Sequence, residues 1–418
     1  MKNSNIWIFN HYATDMFKNH GGRHYYFAKY LMKSNNDVTI FCANTYHNNT
    51  QYIKTNKFGY KEEKCDDIPF VFVKTIKATG NGIGRIFNML FFYRNLQKVS
   101  RKIVKGEKKP DYIIASSVHP LTMVAGIKIA RKMKVPCICE IRDLWPEAIF
   151  SFGKLKENSF LGRCLTKGEY WIYKNADKLI FTKPGDTDYL KEKKWTKELG
   201  GKIDINKCYY INNGVDLEVF NKQKKEFKLK DDELEKNKFN VIYTGAIRPV
   251  NNVGNLLDAA KILKNNSDIQ ILIYGEGNQL NELKERVIDE KILNVKLMGK
   301  VDKSNIPYIL SMASVNILNY SQSLYNWSRG NSSNKLFEYM ASGKPIISTV
   351  KMGYDFIDKY DLGISIKNNT ANELANSILK IKSMSKLEYD KYCNNALKAA
   401  EEFDFKKLTK KLIECIED

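Results

Sequence analysis

No apolar run in this 418-residue chain reaches the ~18 residues that a membrane-spanning helix needs. A spanning helix is thereby excluded, and a soluble or peripheral protein is expected. The start of the sequence passes from Met1 through a few polar residues straight into a strand pattern, so no secretory leader is expected. Acidic residues are in short supply: 47 Asp and Glu face 68 Lys and Arg, a formal charge of +21. That imbalance asks for a polyanionic neighbour, whether nucleic acid, anionic lipid or a phosphorylated substrate. Cysteine never takes the double-pair spacing of a zinc site, and several of the eight lie inside apolar strands such as PCICEI. They read as reduced core residues of a cytosolic protein. What is present is ample for packed cores, with 43% hydrophobic and 12% aromatic residues. The length calls for two domains of ~200 residues.

The stretch that organises the chain is GNSSNKLFEYMASGKPIIS, Gly330 to Ser348. Apolar runs flank it, SVNILNY before and PIIST at its end, both patterned as short buried strands. Ser332, Ser333 or Asn334 can cap a helix that carries Leu336, Phe337 and Met340 on one side and stops at Gly343. In a parallel sheet such a unit places the helix N-terminus at the carboxyl edge of the strands, where free N–H groups attract anions. Lys335 adds a cation in the first turn, and Glu338, three residues on, shares its face and can accept bonds from sugar hydroxyls. The segment alone reads equally as a surface Lys/Glu pair.

NIWIFN opens the chain as a buried strand, followed by Gly21-Gly22, the helical pattern HYYFAKYLMK and the strand VTIFCA. This strand, glycine loop and helix begin a doubly wound α/β domain. After PFVFVKT comes a helix, Gly84 to Lys105, in a region holding ten Lys or Arg against one acid. Its expected buried face is Ile86, Met89, Leu90, Tyr93, Leu96, Val99 and Ile103. Phe87, Phe91, Arg94, Lys98, Arg101 and Lys105 form a second stripe, aromatic at one end and basic along the rest, suited to an anionic membrane surface. DYIIASS leads to His119-Pro120, and PCICEI ends in Arg142-Asp143-Leu144-Trp145-Pro146-Glu147. Two carboxylates at the end of a strand lie where α/β folds put chemistry, though a capped turn reads the same way. Asp186-x-Asp188 suggests a metal diphosphate site, but Asp186 or Thr187 before an apolar helix is an ordinary N-cap. The polar stretch Lys222 to Lys238 is expected to cross between domains.

The second half repeats the plan: FNVIYTG with Arg248 after it, IQILIYGEGNQL, NVKLMGK and the organising stretch. Two βα arrays of similar length imply an α/β protein of two Rossmann-like domains facing each other, with a final amphipathic helix packing back on the first.

Taken together, Gly21-Gly22, EIRDLWPE, INNGVDLEVF, IYTGAIR, IYGEGNQL, NVKLMGKV and NKLFEYMASGKPII, in this order, resemble the retaining glycosyltransferases of family 4, with the GT-B fold. The resemblance covers nearly the whole chain and is strongest to the bacterial branch that builds O-antigen, capsule and related polysaccharides. It implies an acceptor-binding domain over 1–212, a nucleotide-sugar domain over 213–400 and a crossing helix over 401–418. It further implies a nucleotide-sugar donor, UDP-linked, a polyprenyl-diphosphate-linked saccharide acceptor on an anionic membrane at the cytoplasmic face, and no metal or cofactor. Carried over by residue, Arg248 and Lys335 neutralise the donor diphosphate, with Gly22 letting a loop approach it. Glu338 holds the ribose, and Asp143 and Glu147 belong to the reaction centre. Gly245, Gly275, Gly277 and Lys300 lie around the nucleotide. The family pairs Glu338 with a glutamate eight residues earlier; here that position is Gly330, so the donor sugar is left to Asn331, Ser332, Ser333 and Asn334. A lysine that many members carry after Arg248 is also replaced, by Asn251 and Asn252. The competing readings are a UDP-sugar 2-epimerase on the same fold and a basic nucleic-acid-binding protein. The second is disfavoured because the aromatics fall in core patterns instead of alternating with basic residues.

Overall fold

Ile6 and Ile8 point to one side of the first strand and Trp7 and Phe9 to the other, and all four are buried. A strand with two apolar faces belongs inside a parallel sheet covered on both sides. The computed structural model describes all residues except 1–2, 47–50, 79, 81, 107–108, 118, 152, 154 and 236. It divides into two units, Met1–Asn212 with Phe405–Asp418, and Asn213–Asp404.

The first unit contains β1 (Asn5–Phe9), β2 (Asp37–Ala43), β3 (Tyr60–Cys65), β4 (Ile68–Val73), β5 (Tyr112–Ser117), β6 (Cys137–Ile141), β7 (Lys178–Phe181) and β8 (Cys208–Tyr210). They pair in the order β3-β4-β2-β1-β5-β6-β7-β8. All neighbours are parallel except β3 and β4, a hairpin. Strand order reverses between β1 and β5, the switch point where doubly wound sheets open a crevice at their carboxyl edge. One face packs Trp7, Phe9 and Phe41 under the Ile83–Gly106 helix, through its Phe92, Leu96, Val99 and Ile103. The other packs Ile6, Ile8 and Ile40 with the terminal helix Phe405–Glu417, through Phe405, Leu408 and Leu412. Phe405 meets Tyr26 and Phe27 of the Arg23–Lys33 helix at ring separations of 5.0 and 5.5 Å.

The second unit holds β9 (Phe239–Thr244), β10 (Ile269–Tyr274), β11 (Val295–Gly299), β12 (Val315–Leu318), β13 (Ile346–Ser348) and β14 (Gly363–Ser365), all parallel, in the order β11-β10-β9-β12-β13-β14. Its switch point lies between β9 and β12.

Three expectations need correction. The polar stretch from Lys222 is no crossing segment: Leu217–Glu226 is a helix of the second unit, capped by Asp216 accepting from Val219 N (3.0 Å) and anchored by buried Phe220. The second unit also runs past Ala400 to Asp404, because Lys386–Glu402 is one helix with Ala396, Ala399 and Ala400 in that unit's core. The cap before Asp186–Glu192 is Gly185, and Asp186 turns inward, accepting from Lys183 N at 3.1 Å.

Candidate functional site

The helix Asn334–Ala341 follows β12, so its N-terminus reaches the carboxyl edge of the sheet at the switch point. Leu336, Phe337, Tyr339 and Met340 are buried and fix its rotation. Tyr339 locks it to the end of β9: its hydroxyl accepts from Thr244 N (3.0 Å) and donates to Thr244 O (3.2 Å). That rotation turns half-buried Lys335 and Glu338 to the opposite side. Ser333 stands at the N-cap, but its hydroxyl accepts from Tyr320 (2.6 Å) instead of capping the helix, so the first-turn N–H groups keep their pull on anions.

Lys335 occupies a box of neutral groups. Its Nζ lies 4.8 Å from the Tyr243 ring centre and 4.5 Å from that of Tyr320. With the Asn251 amide turned to satisfy both its ends, Asn251 donates to Ala246 O (3.0 Å) and accepts from Lys335 Nζ (3.2 Å). Asn251 thus solvates the Lys335 ammonium. Asn319, at the end of β12, holds this turn by donating to Asn251 O (2.8 Å) and Asn252 O (2.7 Å). Burial pushes the Lys335 ammonium down to about 7, with Glu338 opposing. Burial raises the Glu338 carboxyl against Lys303 and Lys335, and that carboxylate takes no hydrogen bond from the described residues. A cation without an ion pair, one helical turn from an unengaged carboxylate, is suited to a ligand with both an anionic group and hydroxyls.

The glycines divide by role. At Gly245 an added Cβ would stand 3.0 Å from Lys335 Cδ, so the bare backbone makes room for the lysine. At Gly275 and Gly277 a Cβ would fall 1.8 Å from Gly245 O and 2.0 Å from Ile247 O. Close approach of neighbouring strand-end loops accounts for both, without a ligand. Gly330 sits at φ +94, a conformation that disfavours glutamate, so the missing carboxylate is written into the backbone. Asn331 accepts from Ser333 N (2.8 Å), Asn213 donates to Ser332 O (2.6 Å), and Asn334 is exposed. Arg248 is exposed on the loop after β9 and meets no acid among the described residues. Lys300 pairs with Glu276 (2.7 Å) in solvent.

In the first unit the structure brings together groups the sequence left apart. Glu140 is buried on β6 and accepts from Arg23 Nε (2.7 Å) and Ser116 Oγ (2.8 Å), and bonds His24 Nε2 (2.9 Å). Burial alone would raise this carboxyl, yet Arg23 and His24 hold it well below its usual range. Arg23 also donates to the carbonyls of Asn212 and Ile211, tying the glycine loop to the end of β8. Gly22 precedes it at φ +114. One residue past β6, Arg142 keeps a buried Nε that finds no acceptor among the described residues. Asp143 is exposed and accepts from the buried Lys183 Nζ (3.1 Å). Asp186, pushed up to about 7 by burial against the pull of Lys183, has an unpartnered Oδ1 beneath them. Glu147 is half-buried at the start of the Glu147–Ser151 helix and raises Asp186 further. His119 is buried against His11 (Nε2 to Nδ1, 2.7 Å), and burial pushes it down to about 3.

The basic helix carries a larger correction. In its first two turns the inward residues are Arg85 and Asn88, while Ile83, Ile86, Phe87, Leu90 and Phe91 are exposed by 43% to 72%. Asn88 donates to Ile76 O (2.5 Å) and Arg85 to Gly80 O (3.3 Å), so polar side chains fill the inward side and push the apolar ones out. Ile86 and Leu90, expected inside, therefore join Phe87 and Phe91 in one surface stripe that continues through exposed Arg94, Lys98, Arg101 and Lys105.

The family model "Glycosyl transferases group 1" matches residues 224–402, and "Glycosyltransferase Family 4" matches residues 23–219. The chain is a glycosyltransferase of the GT-B type. The glycosyltransferase is 20% identical over 309 residues to WbjE of Pseudomonas aeruginosa, named a probable glycosyltransferase, covering 73% of this chain and 72% of that one. It is 24% identical over 230 residues to TuaH of Bacillus subtilis, named a putative teichuronic acid biosynthesis glycosyltransferase, covering 53% of this chain and 54% of that one. In fold the glycosyltransferase resembles Anabaena Alr3699/HepE, solved in complex with UDP, with a TM-score of 0.65 at 12% identity over 99% of each chain.

Proposed function

We propose that this glycosyltransferase moves a hexose or N-acetylhexosamine from a UDP-sugar to a lipid-linked saccharide, with retention at the anomeric carbon, in the assembly of a surface polysaccharide. The observation that carries the donor assignment is the Lys335 ammonium, enclosed without an ion pair beside Gly245 and one turn from the unengaged Glu338. A diphosphate at that position restores to the ammonium the counter-charge that burial denies it, and Glu338 accepts from the ribose hydroxyls. As the glycosidic bond breaks, charge gathers on the leaving diphosphate. Lys335, the first-turn N–H groups and Arg248 on its exposed loop stabilise that charge. The backbone over Asn331 to Asn334 takes the place of the absent carboxylate toward the sugar. In the first unit, Asp143 orients the acceptor hydroxyl, and Arg142, with its unfilled Nε, meets an acceptor phosphate.

The UDP-bound neighbour supports the nucleotide and the teichuronic acid relative supports the product class. The exposed aromatic and basic stripe supports an acceptor held at an anionic bilayer. The test is transfer from UDP-sugars to lipid-linked saccharide extracts, with NMR of the product's anomeric configuration. Transfer with retention is expected. Epimerised donor formed without any acceptor would instead select the 2-epimerase reading.

A further inference from the structure

Three side chains meet in the first unit beside the glycine loop. His20 ends the Thr14–Asn19 helix, Cys65 ends β3, and Asp66 begins the two-residue turn into β4. His20 Nδ1 lies 2.7 Å from Asp66 Oδ2 and 3.4 Å from Cys65 Sγ, and Sγ lies 3.8 Å from Asp66 Oδ2. Four-coordinate zinc, with bonds of about 2.0 Å to nitrogen or oxygen and about 2.3 Å to sulfur, sets its ligand atoms about 3.3–3.6 Å apart. Two of the three separations lie within a few tenths of an ångström of that span. The third needs His20 and Asp66 to part by about half an ångström, as happens when an ion replaces the proton between them.

We propose that His20, Cys65 and Asp66 form a zinc site with its fourth position open to water. The donor set of one thiolate, one imidazole and one carboxylate matches zinc and is unlike the all-oxygen sets of magnesium or calcium. Asp66 is already held as an acceptor, its Oδ2 taking a hydrogen bond from Tyr25 and lying 2.7 Å from His20 Nδ1. Tyr25, donating to the same Oδ2 at 2.5 Å, is the outer partner that fixes the carboxylate's direction. Metal binding displaces the Cys65 thiol proton to solvent. The sequence hides the site because its ligands lie 45 residues apart and only the fold joins them.

The consequence concerns the glycine loop. His20, itself left-handed at φ +46, directly precedes Gly21-Gly22. An ion held by His20 and by the Asp66–Asp67 turn ties that loop to the β3–β4 hairpin. The role is structural, and its test is read from metal binding and stability without an activity assay.

The full chain, stripped with a chelator, is titrated with Co2+ while near-ultraviolet absorption and proton release are followed. Wild type is expected to give a thiolate-to-cobalt band and release one proton per ion, with zinc displacing cobalt and raising Tm. The band persists in Cys164→Ser, which removes the exposed cysteine, and is lost in Cys65→Ser. Tyr25→Phe weakens the metal about 10-fold by loosening Asp66. Should Cys65→Ser fail to fold, His20→Asn and Asp66→Asn carry the test, since asparagine tolerates both left-handed positions. Absence of the band in wild type, its survival in Cys65→Ser, or unchanged affinity in both asparagine variants overturns the site and leaves only a hydrogen-bonded pin.

Discussion

A single lysine shows how neighbours decide what a charge can do. Free lysine is cationic well beyond neutral pH, but Lys335, boxed by Tyr243, Tyr320 and Asn251, is brought down to about 7 by burial. A bound diphosphate raises it again, so donor binding takes up a proton whenever the empty site has lost one. The sign follows: affinity for a UDP-sugar is highest below pH 7 and falls as pH rises toward 9, by at most about tenfold per unit. Calorimetric titration across that range checks it, and pH-independent binding would contradict the enclosed ammonium. Lys335→Arg, whose guanidinium stays charged, flattens the profile. Lys335 and Glu338 were legible in the sequence because their i, i+3 spacing puts them on one face whatever surrounds the helix. The tyrosines and Asn251 were not, because they come from three other segments and only tertiary packing joins them. The Arg23–Glu140–His24 cluster escaped for the same reason: a lone glutamate in CICEI carries no local sign of its partners.

Among the elements, the helix Ile83–Gly106 departs furthest from its expected face. Periodicity assigns Ile86 and Leu90 to the core by their apolarity, yet Asn88 and Arg85 claim the inward positions through bonds to loop carbonyls. Local pattern cannot report that a polar residue has a partner waiting. The outcome gives the proposed docking stripe two exposed aliphatic residues beside its phenylalanines. Each basic residue near an anionic surface adds about 1 kcal/mol, so replacing Arg94, Lys98, Arg101 and Lys105 together by glutamine should cost about a thousandfold in partition to anionic vesicles. Phe87→Ser with Phe91→Ser should weaken binding to neutral vesicles as well. Cosedimentation measures both; an unchanged bound fraction in the basic variant sinks the docking stripe. The exposed stripe lies outside the core, so Tm should stay near that of the wild type in either case.

For the whole molecule, the two repeated βα arrays were plain in the sequence, since strands that are apolar on both faces and alternate with amphipathic helices leave few other folds. The limits of each unit were less plain. Polarity over Lys222 to Lys238 looked like a linker, but Phe220 and Leu234 anchor short helices within the second unit, and a pair of apolar residues is a faint signal beside so many lysines. The central claim is that this second unit grips a UDP-sugar through Lys335 and Glu338. Thermal stabilisation of the full chain by UDP-, GDP- and dTDP-sugars, in wild type, Lys335→Ala and Glu338→Ala, tests it most directly. The account predicts stabilisation by UDP-sugars in wild type, loss of it in both variants at an unchanged starting Tm, and a fall in transfer of about 10²–10³-fold for Lys335→Ala. Equal stabilisation of wild type and variants by UDP-sugars would contradict it.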